Sequence, residues 1–267
     1  MRGARDSGRN DPVFLAASVT WPPRTLHVCP PRRGGVQKKV VHPLIQRVGE
    51  ASGAEAFRHV VTQAADELTL ELPTDAVDKL LAYVALIGKW SRVYNLTAVR
   101  DPAAMVTHHI VDSLAVVGPL RRRTAGRPVR LLDVGSGAGL PGVVVAICCP
   151  ELRVECVDTV AKKASFITQV AVELRQQNLK SHHTRVENLP GPFDVITSRA
   201  FASLDEFVAL SRQALAPAGT WMALKGKRPD AEIAKMPPDI EVFHVEQLTV
   251  PGLPAERCIV WLRRAAA

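Results

Sequence analysis

The sequence predicts an α/β protein, a doubly wound and mostly parallel seven-stranded sheet with an N-terminal helical extension. Three observations carry this. After Arg127-Pro128, strand-like apolar runs alternate with helix-like segments, as when crossover helices join parallel strands. The last two strand-like runs have no helix between them, which marks an antiparallel pair at a sheet edge. Ahead of this region, from Leu44 to about Leu120, apolar residues recur at helical spacing.

Taken in order, residues 1–43 contain two Pro-Pro pairs, a Gly-Gly and scattered arginines without a sustained period, the composition of a disordered basic tail. "VFLAASV" falls short as a signal peptide, because acids precede it and Trp21-Pro22-Pro23 replaces a small-residue cleavage site. An early start is the other reading of this segment. No Met separates Met1 from Met105, so a shorter product would begin on another codon, Val48 being one candidate.

Residues 44–125 read as the helical extension. Thr74 is expected to cap "DAVDKLLAYVALIGKW", where Val77, Leu80, Leu81, Val84 and Ile87 share a face. "SRVYNLTAVRDP" breaks the period before a second helix, "PAAMVTHHIVDSLAVV". Residues 126–267 read as the α/β domain. Its strands are "VRLLDVG", "LRVECVD", "SHHTRVE", "FDVITSRA", "GTWMALKG", "EVFHVEQLTV" and "ERCIVWLRR", with helices after the first, second and fourth.

The net charge is +8, but the first 43 residues hold eight Lys/Arg against two Asp, so six of the eight charges lie there. A globally basic nucleic-acid binder is therefore not indicated, and any basic patch must be local. No apolar run is expected to span a bilayer. The five cysteines form no CxxC and read as reduced core residues. His108 and His109 are adjacent and so face different ways; packing or solvent is expected rather than a metal.

The chemistry concentrates in "LLDVGSGAGLPG", Leu131 to Gly142. Ligands of doubly wound sheets bind at the carboxyl ends of the strands, and glycines let the backbone approach them closely. The glycines are Gly135, Gly137, Gly139 and Gly142, so the third position of a dinucleotide fingerprint holds Leu140. A phosphate-binding Lys-Ser/Thr is missing as well. Asp133, beside the glycines, suits a cationic or polar ligand better than a pyrophosphate. S-adenosylmethionine carries an ammonium and a sulfonium but no phosphate. Asp158, ending the second strand, is placed to accept from ribose hydroxyls; helix capping is the alternative for both acids.

"KWSRVYNLTAVRDPAAM", "HHIVDSLAV", "FDVITSRAFASL", "ALKGK" and "VPGLPAERCIVWLRR" accompany that loop. From about Pro73 to the C-terminus the sequence closely resembles the RsmG (GidB) family, bacterial methyltransferases that make 7-methylguanine in 16S ribosomal RNA. The resemblance implies a class I, Rossmann-like methyltransferase using S-adenosylmethionine. It implies 16S rRNA, in the small subunit or its precursor, as partner. A cytoplasmic monomer without metal or membrane is the corresponding expectation.

By the same resemblance the cofactor site comprises Gly135 and Leu140 with Asp133 and Gly137 beside them, Asp158 at the ribose, Val186 and Glu187 at the adenine, and Arg199 at the cofactor–substrate interface. Lys225 ends the next strand on that rim. Arg199 and Lys225 are the candidate substrate-positioning residues, able to contact phosphate or a base edge. Phe201 could stack on the target base or serve the core, and Tyr94 with Asn95 could wall the site.

Guanine N7 offers a lone pair and has no proton to lose, so no general base is expected. "SRAF" replaces the Asp/Asn-Pro-Pro-aromatic loop of amino-methylating enzymes, and no cysteine sits at a matching strand end for attack on cytosine C5. The competing readings are a dinucleotide-dependent oxidoreductase, opposed by Leu140, and a non-catalytic RNA-binding module, opposed by the intact glycine loop.

Overall fold

The computed structural model describes residues 43–94, 96–99 and 101–266. Apart from Pro43, the tail expected at residues 1–43 lies outside them, as does Asn95. The extension begins with α1 (Pro43–Glu67) and α2 (Ala76–Tyr94). Thr74 and Asp75 form the turn before α2, which starts two residues after the expected cap. The helix also runs on through "SRVY" to Tyr94, because Ser91 remains on its buried face. Leu80, Val84 and Ile87 are buried as the periodicity requires, and Tyr83 joins them with no exposure at all.

The second expected helix is not uniform. A short turn, α3 (Pro102–Met105), passes into a π-helical turn over Val106–Val111, then into α4 (Asp112–Leu114), and α5 (Val117–Thr124) follows. Ala103–Thr124 is, by length and mean hydropathy of 1.3, apolar enough to cross a membrane, which corrects the expectation that no run reaches that range. Most of it is buried inside the protein, as in a core helix.

The sheet is built from β1 (Arg130–Val134), β2 (Arg153–Asp158), β3 (Leu179–His183), β4 (Phe193–Arg199), β5 (Leu215–Lys225), β6 (Ile240–Leu248) and β7 (Arg257–Arg264). Its order is β3-β2-β1-β4-β5-β7-β6. The first five strands are parallel; β7 inserts between β5 and β6, antiparallel to both, as two strands without a crossover helix demand. The crossovers carry α6 (Gly142–Cys148), α7 (Ala161–Glu173) and α8 (Leu204–Ser211), and a short α9 (Asp230–Ile233) follows β5.

One expected strand is corrected. β3 covers only its front half; Val186 and Glu187 lie in a 3-10 turn instead. The polar "HTRVEN" offers no alternation to bury, and the turn carries the chain over the end of the sheet.

α6 reads "GVVVAIC" and every residue of it is buried. A helix apolar on all sides needs cover on both, and it gets the sheet beneath and α2 and α4 above. One core cluster accordingly runs from Val61 and Leu80 through Val143–Cys149 to Phe166, Met222 and Trp261. A second, on the other sheet face, gathers Phe193, Phe207, Trp221 and Leu262.

Candidate active site

Parallel pairing places the ends of β1 through β5 along one edge of the sheet. Strand order reverses between β1 and β4, so the crevice there is the topological switch point. The glycine loop leaves β1 on one side of it. Arg199-Ala200-Phe201 leaves β4 on the other.

The loop is tied down by its own backbone. Gly135 N–H donates to the Val157 carbonyl at 2.9 Å, and Ser136 Oγ donates to the Asp133 carbonyl at 2.7 Å. Gly135 and Gly137 take φ of +65° and +59°, which side chains disfavour. A Cβ on Gly135 would also stand 2.4 Å from the Phe201 ring, whereas one on Gly137 would meet nothing nearer than 4.0 Å. The second position thus opens onto free space.

Two clefts flank the switch point and share Ala200. The first, of about 410 Å³, is lined by Gly135, Asp158, Val160, Lys163, Val186, Glu187 and Phe201 among others. Asp158 is 7% exposed; its Oδ2 accepts from Gly137 N–H at 3.0 Å and its Oδ1 from Val160 N–H at 2.8 Å, with Lys163 Nζ 3.7 Å away. Its carboxylate therefore braces the loop while facing the cleft. Four of the expected cofactor residues, Gly135, Asp158, Val186 and Glu187, line this cleft, and Gly137 is tied to it through Asp158.

Asp133, Leu140 and Arg199 do not line it, Arg199 lining the other cleft instead. Asp133 is fully buried, and its Oδ2 accepts from Gly142 N–H at 2.9 Å, at the start of α6. Burial, the largest influence, pushes its carboxyl up to about 7, against the opposing Gly142 bond and the nearby Arg199. It is not a firmly ionised anion awaiting a cation, so capping describes its geometry. A Cβ on Gly142 would stand 2.6 Å from Cys156 Sγ and 2.8 Å from Asp133 Oδ2, which explains the fourth glycine. Leu140 is 5% exposed and belongs to the main core.

The second cleft, of about 490 Å³, lies between the extension and the ends of β4, β5 and β7. His108, Asp112 and Val116 enter it at four-residue spacing from one side, and Arg199, Lys225 and Arg257 from the other. Asp112 accepts from Arg199 Nη1 at 2.9 Å and from Arg257 Nε at 2.7 Å. Lys225 Nζ donates to the Ala202 carbonyl at 3.0 Å and pairs with Glu232 at 2.9 Å; Glu232 in turn accepts from Leu204 N–H. Lys225 thus secures the loop after β4. His109 is buried, 2.7 Å from Thr97 Oγ1, and burial lowers its pKa. His108 is exposed. No cluster of three metal-ligating side chains exists among the described residues.

Phe201 is 37% exposed, its ring against Gly135 and edge-on to Phe207. Ala200 before it adopts φ of +54° without being glycine, a strained backbone of the kind found at functional sites. Tyr94 is exposed beside Lys162, near Trp90, and lines neither cleft. Asp112, Arg257 and Glu232 were not singled out by motif. A lone acid in the apolar helix "HHIVDSLAV" was the one available signal.

A family model described as GidB, rRNA small subunit methyltransferase G, matches residues 76–260. A protein of Acidovorax sp. (strain JS42) named ribosomal RNA small subunit methyltransferase G is 60% identical over 219 residues, 79% of this chain and 97% of its own length. One of the same name from Polaromonas sp. (strain JS666) is 63% identical over 204 residues, covering 75% and 90%. In fold, the chain is similar to the magnesium protoporphyrin IX methyltransferase of Synechocystis PCC 6803, solved with bound SAM. Their TM-score is 0.50 at 14% identity, over 70% of this chain and 97% of that one.

Proposed function

This chain belongs to the rRNA small subunit methyltransferase G family, and on that premise we propose that it transfers a methyl group from S-adenosylmethionine to N7 of one guanine in 16S ribosomal RNA. The carrying observation is the pair of clefts that meet at Ala200 on the switch point. One is bordered by the glycine loop and Asp158; the other is walled by two guanidiniums.

The first cleft fits the methyl donor. Open space at Gly137 admits it against the loop backbone, Asp158 has lone pairs left for ribose hydroxyls, and Val186 and Glu187 border the far end for the adenine. When bound, S-adenosylmethionine supplies a methyl group on a positively charged sulfur, open to displacement. The protein's task is alignment and exclusion of water. Arg199 and Arg257 orient the RNA from the second cleft, Phe201 closes the boundary between clefts, and Lys225 with Glu232 holds the Ala200–Ser203 loop that carries Phe201. Guanine N7 needs no base to take a proton, and the buried His109, which lines the second cleft, is not called upon as one.

The reading places residues 44–125 as the cleft-forming extension and 126–267 as the catalytic domain of a cytoplasmic monomer acting on the small subunit or its precursor. Mass spectrometry of ribosomal RNA from a strain lacking the protein tests it. One 7-methylguanine in 16S RNA should disappear and return with the gene; an unchanged methylation pattern would refute the assignment.

A further inference from the structure

Asp112 follows the π-helical turn, 7% exposed on the wall of the second cleft. π-turns shift the side chains beyond them and concentrate at functional sites. Here the carboxylate meets guanidiniums from two distant parts of the chain, Arg199 at the end of β4 and Arg257 at the start of β7. A single acid between two guanidiniums leaves the group one net positive charge.

The donors are only partly spent. Arg199 Nη1 serves Asp112 and, at 3.4 Å, the His108 carbonyl; Arg257 uses Nε on Asp112 and Nη1 on the Glu256 carbonyl. Arg199 Nε and the Nη2 of both have no partner among the described residues. Two planar forks fixed by one carboxylate suit the oxygens of a phosphodiester, and fixing them beforehand spares the ordering cost on binding. Lys225 does not compete for this role, being held by Glu232 and the Ala202 carbonyl.

We propose that Asp112 is a positioning residue for methyl transfer, presetting Arg199 and Arg257 as one clamp for a phosphodiester of the RNA strand that carries the target base. The inference rests on the methyltransferase reading above. The competing assignment, with these guanidiniums serving the carboxylate of the cofactor, is an outcome of the test.

The test uses full-length Asp112→Asn with small subunits from a strain lacking the protein. Asparagine keeps one acceptor, removes the charge and releases one fork. Affinity for S-adenosylmethionine, measured by calorimetry, should stay within about twofold, since the first cleft is untouched. Subunit binding should hold or tighten, with a salt slope steeper by up to about 0.7–0.9 for the added net charge. The single-turnover methylation rate at saturation should nevertheless fall by about 10- to 100-fold, with partial recovery in Asp112→Glu. A purely structural acid would not strengthen binding while slowing transfer. An unchanged rate in folded Asp112→Asn overturns the proposal, and cofactor affinity falling in step with rate reassigns the clamp to the cofactor carboxylate. Should the asparagine variant not fold, Arg257→Lys keeps the charge and loses the fork; its rate should fall at saturating subunit, and an unchanged rate is again fatal. An inactive wild type would overturn the methylation reading together with the inference.

Discussion

Asp133 and Asp158 lie near the ends of the paired strands β1 and β2, two register positions apart, yet their surroundings separate them. Asp158 braces Gly137 at the edge of an open cleft. Gly137→Val would force a β-branched residue into a left-handed conformation and fill the cofactor space. Asp158→Ala would remove two loop hydrogen bonds together with the ribose acceptor. Each should weaken S-adenosylmethionine by at least about tenfold, in line with the roughly 1.5–3 kcal/mol carried by charge-assisted bonds. Calorimetry on folded variants checks this, and undiminished affinity in both would remove the cofactor assignment.

Asp133 makes a different prediction. Its native carboxyl titrates at about 7, above the unfolded value near 3.9. The native chain therefore holds a proton that the unfolded chain releases between about pH 4 and pH 7. That contribution to stability is complete below about pH 4 and is lost as pH rises through about 7. Asp133→Asn keeps an acceptor for Gly142 N–H and cannot ionise. Relative to this variant, the wild type should lose on the order of 2–3 kcal/mol between pH 5 and pH 8. Urea unfolding at the two pH values measures the difference; parallel curves would show that Asp133 is already ionised in the native state.

At the scale of elements, the extension does more than cover α6. Tyr83 of α2 donates its hydroxyl to the Ala138 carbonyl at 2.5 Å, tying the extension to the glycine loop. Tyr83→Phe should cost about 1 kcal/mol of stability, because the carbonyl stays buried without that donor. It should also weaken the cofactor by roughly 3- to 10-fold through a looser loop. Thermal melts combined with calorimetry separate the effects; a lower melting temperature with unchanged affinity would leave the tether a packing contact only.

At the scale of the molecule, six of the eight net charges lie in residues 1–43, while α1 begins at Pro43. A protein starting at Leu44 should keep the folded unit and methylate the same guanine at a similar rate at physiological salt. It should lose only sequence-independent RNA affinity, with a shallower salt dependence. Loss of methylation in a folded truncation would make the tail part of the active machinery.

What the sequence by itself determined was the local grammar. Alternating apolar runs produced the strands and crossovers within a few residues, the pair without a helix produced the antiparallel edge, and the glycine-rich run marked the loop that borders a cleft at the switch point. These depend on neighbours in the chain, where periodicity and backbone preference act directly. Only the tertiary structure decided what depends on distant neighbours. It buried Asp133 and Leu140 behind the loop, because α6 passes close enough to need a cap and a core contact. It ended β3 early and turned Val186 and Glu187 toward the cleft. It drew Lys225 to Glu232, and it brought Asp112, Arg199 and Arg257 together from positions up to 145 residues apart. Burial and charge pairing across such distances arise when the sheet closes, and no local pattern encodes them.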